Sequence, residues 1–199
     1  MNVKNIHWAG NVDLSYLEGD ELFRAIWWKT ESIPGSFTRL NAAKYYERAL
    51  IVPSDGVIVE VGVDQGRSAS ILLAIATMTG VKLHLVDSWE SILIDNKAKV
   101  EALIKGFDGV DVTVHHMRSE DAAKIIPAPI NMVHIDAHHY TPSIELDCES
   151  WLPKLKSGGV ALFHDYASTF PDVTAAVDKY TESWDDLGAW DSLAIRRKP

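Results

Sequence analysis

Residues 56–90 read GVIVEVGVDQGRSASILLAIATMTGVKLHLVDSWE, and this stretch decides the fold. Val57-Ile58-Val59-Glu60-Val61 is a short, β-branched apolar run, the mark of a strand buried on both faces. Gly62 to Gly66 is a turn, and Ser68 to Met78 is apolar almost all round, as in a helix packed hard on a sheet. Gly80 stops that helix where a C′ glycine belongs. Val81 to Val86 is a second buried strand with Asp87 at its carboxyl end. Ligands of open parallel sheets bind outside the carboxyl ends of the strands. Glu60, Gly62, Gly66 and Asp87 are therefore expected to converge on one crevice.

The same alternation continues outward. Val112–His115 reads as a third strand, Ile130–Asp136 as a fourth and Val160–Phe163 as a fifth. Helices are expected over 95–107, after Met117-Arg118-Ser119-Glu120 as far as Ile126, over 142–155 and over 172–182. Gly188 then separates two short stretches, 183–186 and 192–196, the second strand-like. Such a pattern specifies an α/β fold, a doubly wound and mainly parallel sheet. Two helices precede it: 19–30, with Leu22, Phe23, Ile26 and Trp27 on one face, and 38–50, with Leu40, Ala43, Tyr46, Ala49 and Leu50 on one side. Residues 1–55 thus form an N-terminal helical extension that could cap the crevice or simply pack on the core, and residues 56–199 form the core of a single structural domain.

Composition bounds the function. A chain of 199 residues with 47% apolar and 24% charged residues is an ordinary globular domain. A net charge of −9 argues against a nucleic-acid or anionic-membrane surface. Cys148 is the single cysteine, so no intrachain disulfide can form. No secretory pattern and no membrane-length apolar run is visible, which makes a cytoplasmic protein the expectation. Seven tryptophans leave room for exposed aromatic surface at a lid or in a homo-oligomer.

The second informative stretch is MVHIDAHHYTPSIELDCESWLPKLKSGGVALFHDY, residues 132–166. Asp136 ends the fourth strand, His164-Asp165 ends the fifth, and His138 and His139 follow Asp136 in a loop. Carboxylates and imidazoles gathered at one sheet edge are expensive unless something pairs with them, and a divalent cation would. Asp147 and Trp151, four apart on a helix, read as structural, through a cap or hydrogen bond and core packing. His84, His115, His116 and His134 sit in or beside strands as hydrogen-bonding residues.

The turn Glu60-x-Gly62-x-x-x-Gly66 lacks the third glycine of a dinucleotide fingerprint and resembles motif I of the class I S-adenosylmethionine-dependent methyltransferases. Ile135-Asp136, His139, Asp147, Trp151, Leu155-Lys156, Gly158-Gly159 and His164-Asp165-Tyr166 extend the resemblance to the sugar and small-molecule O-methyltransferase group, a family-24-like pattern. Ala137 replaces the group's usual glycine, and Tyr140 sits one position early. The resemblance implies a Rossmann-like seven-stranded fold and S-adenosylmethionine as cofactor. It implies cofactor contacts from Glu60, Gly62, Asp64, Gln65, Gly66, Ser68, Asp87, Ser88, Trp89, Ser119, Glu120 and Asp136. Asp87 would take the ribose hydroxyls, and Ser119 and Glu120 would lie at the adenine. It also implies His139 as general base beside Asp136, and Mg²⁺ or another divalent cation on Asp136, His164 and Asp165, with His164 in the place of an acid. The acceptor would be a small-molecule hydroxyl. Two other classes stay open: a non-catalytic, cofactor-binding regulatory protein, and a nucleotide-sugar or NAD-dependent enzyme on a similar sheet.

Overall fold

A computed structural model describes residues 19–90 and 95–199. The expectations made for the first 18 residues lie outside the described residues. The chain runs α1 (Gly19–Thr30), α2 (Arg39–Leu50), β1 (Val57–Val61), α3 (Arg67–Thr79), β2 (Lys82–Asp87), α4 (Asn96–Ile104), β3 (Val112–His116), α5 (Ser119–Ile125), β4 (Ile130–Ile135), α6 (Ser143–Trp151), β5 (Leu155–Phe163), α7 (Pro171–Tyr180), β6 (Asp185–Trp190) and β7 (Leu193–Arg197). The strands form one seven-stranded sheet in the order β3-β2-β1-β4-β5-β7-β6. Five strands are parallel, and β7 joins β5 antiparallel. The doubly wound, mainly parallel sheet read from the sequence is the observed fold.

Two cores sandwich the sheet. Side chains of α1, α2, α3 and α4 pack on one face, and those of α5, α6 and α7 on the other. Strands buried on both sides must be apolar throughout, which is why β1 and β4 carry near-continuous hydrophobic runs. The bodies of α1 and α2 belong to the packed layer against α3, while the loop between them, around Pro34–Phe37, reaches the carboxyl edge of the sheet.

Several bounds and details differ from the sequence reading; β5, for one, begins at Leu155, not Val160. The buried face of α2 consists of Asn41, Ala42, Tyr45, Tyr46 and Ala49, and Leu40 is exposed. Asn41 sits inside because it works twice: its side chain accepts from Thr38 N (3.1 Å) in a capping box and donates to Trp190 O (2.7 Å). Gly188 lies within β6 at a register shift, with φ +110°, instead of ending a strand. The hairpin turn is at Asp191, whose carboxylate accepts from Thr38 Oγ1 (2.6 Å). The helix after Pro142 ends at Trp151 and tightens into a 3₁₀ turn over Leu152–Lys154.

Candidate active site

Strands β1 and β4 end side by side, so their carboxyl ends open into one crevice. Gly62 N donates to Val86 O (2.9 Å) and Asp136 N to Val61 O (2.8 Å), which knits the three strand ends together. The crevice is a cavity of about 600 Å³. The segments after β1, β2, β3, β4 and β5 wall it, and residues 34–37 close one side.

The glycine-containing turn is built by backbone conformation. Gly62 and Gly66 both have φ +89°, a region that side-chain-bearing residues avoid. A Cβ on Gly62 would stand 2.0 Å from the Asp136 carbonyl oxygen. The glycine is therefore required by the approach of the segment after β4, whatever the ligand does. Asp87 braces the same turn: Oδ2 accepts from Val63 N (2.8 Å) and Asp64 N (2.9 Å), and Oδ1 from Trp89 N (2.7 Å).

The expected cofactor residues separate into two groups. Gly62, Asp64, Ser68, Asp87, Ser88, Trp89, Ser119, Glu120 and Asp136 all wall the cavity. Glu60, Gln65 and Gly66 do not. Glu60 is fully buried beneath the turn, where it accepts the Ser68 hydroxyl and lies 3.3 Å from His134 Nδ1. Gln65 turns outward to accept from Lys99 Nζ (2.8 Å). Gly66 is the residue before α3, and its missing side chain leaves room for Val100 and Leu103. Trp89 is held by its indole N–H on Asp64 O (2.9 Å).

At the far end Glu120 pairs with Arg118 (2.7 Å). Trp151, fully buried, donates to Ser119 Oγ (2.8 Å), in keeping with a structural role. Asp147 walls the cavity as well, and burial pushes its carboxyl up to about 6 against the opposing bond from Ser119.

The other end holds the charged cluster. His139 Nε2 lies 2.8 Å from Asp165 Oδ2 and 3.7 Å from Asp136 Oδ1. His164 Nδ1 lies 3.3 Å from Asp136 Oδ1 and 3.3 Å from Asp165 Oδ2. Neither nitrogen has an aligned hydrogen-bond partner, although both are sealed from solvent. Ser192 Oγ, 3.2 Å from His164 Nε2, fixes that ring from behind. Phe170 stacks on His139 at 4.4 Å, and Phe37 tilts against His164 at 5.4 Å. His138, by contrast, is exposed. Tyr140 is 63% exposed and meets only the edge of Phe170.

The cluster shifts its own protonation. The Asp136 and Asp165 carboxylates raise His139 to about 9. Burial opposes charge on His164, but the same two carboxylates hold it up to about 10. Burial likewise opposes ionisation of both carboxyls, and the two imidazoles nevertheless keep each below the ordinary carboxylate range. Both imidazoles therefore stand above the ordinary value of about 6.5.

Among the described residues, Asp136, His139 and Asp165 present ligand atoms within 4.8 Å of one another. The set expected from the sequence was Asp136, His164 and Asp165. His139 joins the carboxylates because its loop folds back under Phe170, a packing contact that spacing alone does not encode. Nitrogens without bonded partners, facing two carboxylates, fit a divalent cation as donor atoms. Arg67, Asn96, Asp147 and the Pro34–Phe37 loop also wall the cavity and were not read as site residues. Arg67 directly follows Gly66, so its place in the chain was the available signal. The loop offered none beyond a Pro-Gly turn.

The model of a family described as methyltransferase domain, family 24, matches residues 59–166, more than half of the chain. The chain belongs to this family. A search of curated proteins finds no match. Among solved structures, the chain is similar to the S-adenosylhomocysteine-bound Podospora anserina methyltransferase PaMTH1, with TM-score 0.68 and 14% identity over 89% of this chain and 87% of that one. It is also similar to an O-methyltransferase structure from Klebsiella pneumoniae, with TM-score 0.64 and 15% identity over 92% of each chain. CalS11, a TDP-rhamnose 3′-O-methyltransferase of calicheamicin biosynthesis, matches with TM-score 0.59 and 13% identity over 91% of this chain and 96% of that one. At these identities the likeness is one of fold. No helix among the described residues is long and apolar enough to cross a membrane.

Proposed function

We propose that this methyltransferase transfers the S-adenosylmethionine methyl group to a hydroxyl oxygen of a small molecule or sugar. The observation that carries the reading is the meeting, in one cavity, of the motif turn with the Asp136–His139–His164–Asp165 cluster. The reaction is an in-line displacement at the sulfonium methyl carbon. The protein must align the acceptor oxygen with that carbon and take its proton. His139 is the proposed proton acceptor, oriented by Phe170 and Asp165. Asp136, His164 and Asp165 are the proposed cation ligands, which leaves the His139 imidazole to take the proton. A bound divalent cation would supply positive charge that favours the ionised acceptor hydroxyl. The test of the donor is a calorimetric titration with S-adenosylhomocysteine and, separately, with NAD, followed by a screen of hydroxyl compounds with labelled S-adenosylmethionine. Tight binding of NAD and none of S-adenosylhomocysteine would overturn the reading.

Two expected outcomes follow from the site. Exhaustive chelation abolishes transfer at neutral pH, and Mn²⁺ or Mg²⁺ restores it, because without a cation His139 is an imidazolium and has no lone pair to offer. Transfer that survived chelation unchanged at pH 7 would remove the cation. Any residual metal-free transfer should rise with pH through about 9, as His139 loses its proton.

The second outcome concerns Asp87→Ala. It removes the acceptor of the Val63, Asp64 and Trp89 amides as well as the proposed ribose contact. The melting temperature should fall, and cofactor binding should weaken by roughly 1.5–3 kcal/mol. Unchanged calorimetric affinity in the folded variant would remove the ribose assignment.

A further inference from the structure

We propose that His84 and His115 form a metal site of their own, a two-imidazole chelate across β2 and β3 that takes a divalent transition cation, Cu²⁺ before Zn²⁺. The pair lies outside the cavity, and neither residue walls it. β3 is an edge strand, joined to β2 alone. The register sets Thr113 opposite His84 and His115 opposite Val86, so the two histidines are diagonal neighbours on one face of the sheet. Val86 on that face packs with Ala122 and Ala123 of α5. His84 Nδ1 lies 3.0 Å from His115 Nε2, and the ring centroids are 5.2 Å apart. Both rings are partly buried. That burial holds both imidazoles below their ordinary value, so each is uncharged at neutral pH and keeps one lone pair.

The spacing of the two nitrogens selects the ion. Two ligands about 2.0–2.1 Å from a metal and about 90° apart stand about 2.9 Å from each other, the cis edge of a tetragonal Cu²⁺ or Ni²⁺ site. The tetrahedral arrangement of Zn²⁺ needs about 3.3–3.4 Å. The observed 3.0 Å matches the first. Cu²⁺ also binds imidazole most tightly in the divalent series. Without a cation, one ring donates its N–H to the lone pair of the other. On binding, the donor ring moves that proton to its outer nitrogen, and the other ring already carries its N–H there. No proton is released, and both inner lone pairs face the ion. Among the described residues no third histidine, cysteine or carboxylate closes on the pair, so water completes the coordination. A cation held there would tie the edge strand to β2.

The experiment is a Cu²⁺ titration with electron paramagnetic resonance, which counts the coordinated imidazole nitrogens. It uses His139→Ala protein, in which His164 is the one imidazole left between Asp136 and Asp165. A two-imidazole signal then reports the pair. His139→Ala protein should show that signal. Adding His84→Gln or His115→Gln should cut the count to one and lower the affinity of the site about tenfold or more, because a chelate becomes a single ligand. Circular dichroism checks that each variant is folded, and the two substitutions lie on different strands, so either one suffices. A two-imidazole signal that persists in both variants would belong to other histidines and overturn the proposal. Its absence from His139→Ala protein would leave the pair as a hydrogen bond and overturn it too. Equally tight binding by the variant lacking both histidines would mark an adventitious ion only, with the same result.

Discussion

Replacing His139 by alanine is expected to lower turnover roughly 10²–10⁴-fold, the usual worth of a positioned base. Affinity for S-adenosylhomocysteine should stay within about twofold, because the side chain faces Asp165 and Phe170 and is not among the proposed cofactor contacts. The neighbour His138 supplies the control. It is exposed and, although it too walls the cavity, stands outside the Asp136–Asp165 cluster, so His138→Ala should cost much less turnover. His164→Ala is the informative comparison. His164 is 4% exposed and 3.3 Å from both carboxylates, so its loss leaves a buried negative pair with one imidazole fewer. That variant should lose both thermal stability and turnover, whereas His139→Ala, at a more exposed imidazole, should lose turnover with a smaller drop in melting temperature. The measurement is kcat against a known hydroxyl acceptor, alongside calorimetry and thermal melting. If His139→Ala keeps near-normal turnover while His164→Ala folds normally and loses it, the base belongs to His164.

Much of this was readable from the chain because strand ends in a parallel sheet are fixed by the apolar runs that precede them. Once Val57–Val61 and Ile130–Ile135 are strands, Gly62 and Asp136 must be neighbours at one edge. The family offsets then point to His139, and the structure brings it into the cluster. Less was readable where a residue's role depends on what packs on it from elsewhere in the chain. Leu40 looked like core, but Asn41 takes the inward place by bonding a hairpin 149 residues away. Glu60 and Gln65 flank the turn in sequence, yet one is drawn under it by Ser68 and the other out of it by Lys99. Arg67 follows Gly66 in the chain, but its contacts with Trp27 of α1 and the Gly35 carbonyl could not be read from that position. The raised protonation of His139 is partly of the same kind, since it follows from Asp136, three residues earlier, and also from Asp165 on another strand end.

Gly62→Val should prevent folding, and Gly62→Ala should be nearly as damaging. From sequence, the glycine is one that lets a ligand approach the backbone, and a side chain there would weaken binding in an otherwise intact protein. The geometry changes that expectation. A Cβ at this position would be 2.0 Å from Asp136 O, 2.4 Å from Asp136 C and 2.7 Å from Ala137 N. All three are backbone atoms, and Asp136 N is bonded to Val61 O at 2.8 Å, so the segment cannot retreat without opening the edge between β1 and β4. The φ of +89° adds a second cost, about 1–2 kcal/mol for any side chain and more for a β-branched one. Together these should exceed about 4 kcal/mol, beyond the ordinary range for a single substitution and enough to unfold many domains. Gly66→Ala is the matched control. Its φ is also +89°, but its Cβ would meet the flexible ends of Leu103 at 3.0 Å and Val100 at 3.3 Å, which can shift. It should cost about 1–2 kcal/mol, the backbone term alone. Circular dichroism melting of the two alanine variants decides the matter. A Gly62→Ala protein that melts close to wild type would mean the strand ends can separate locally. In that case the glycine's requirement would lie with the ligand, and the loss would be seen only in cofactor binding.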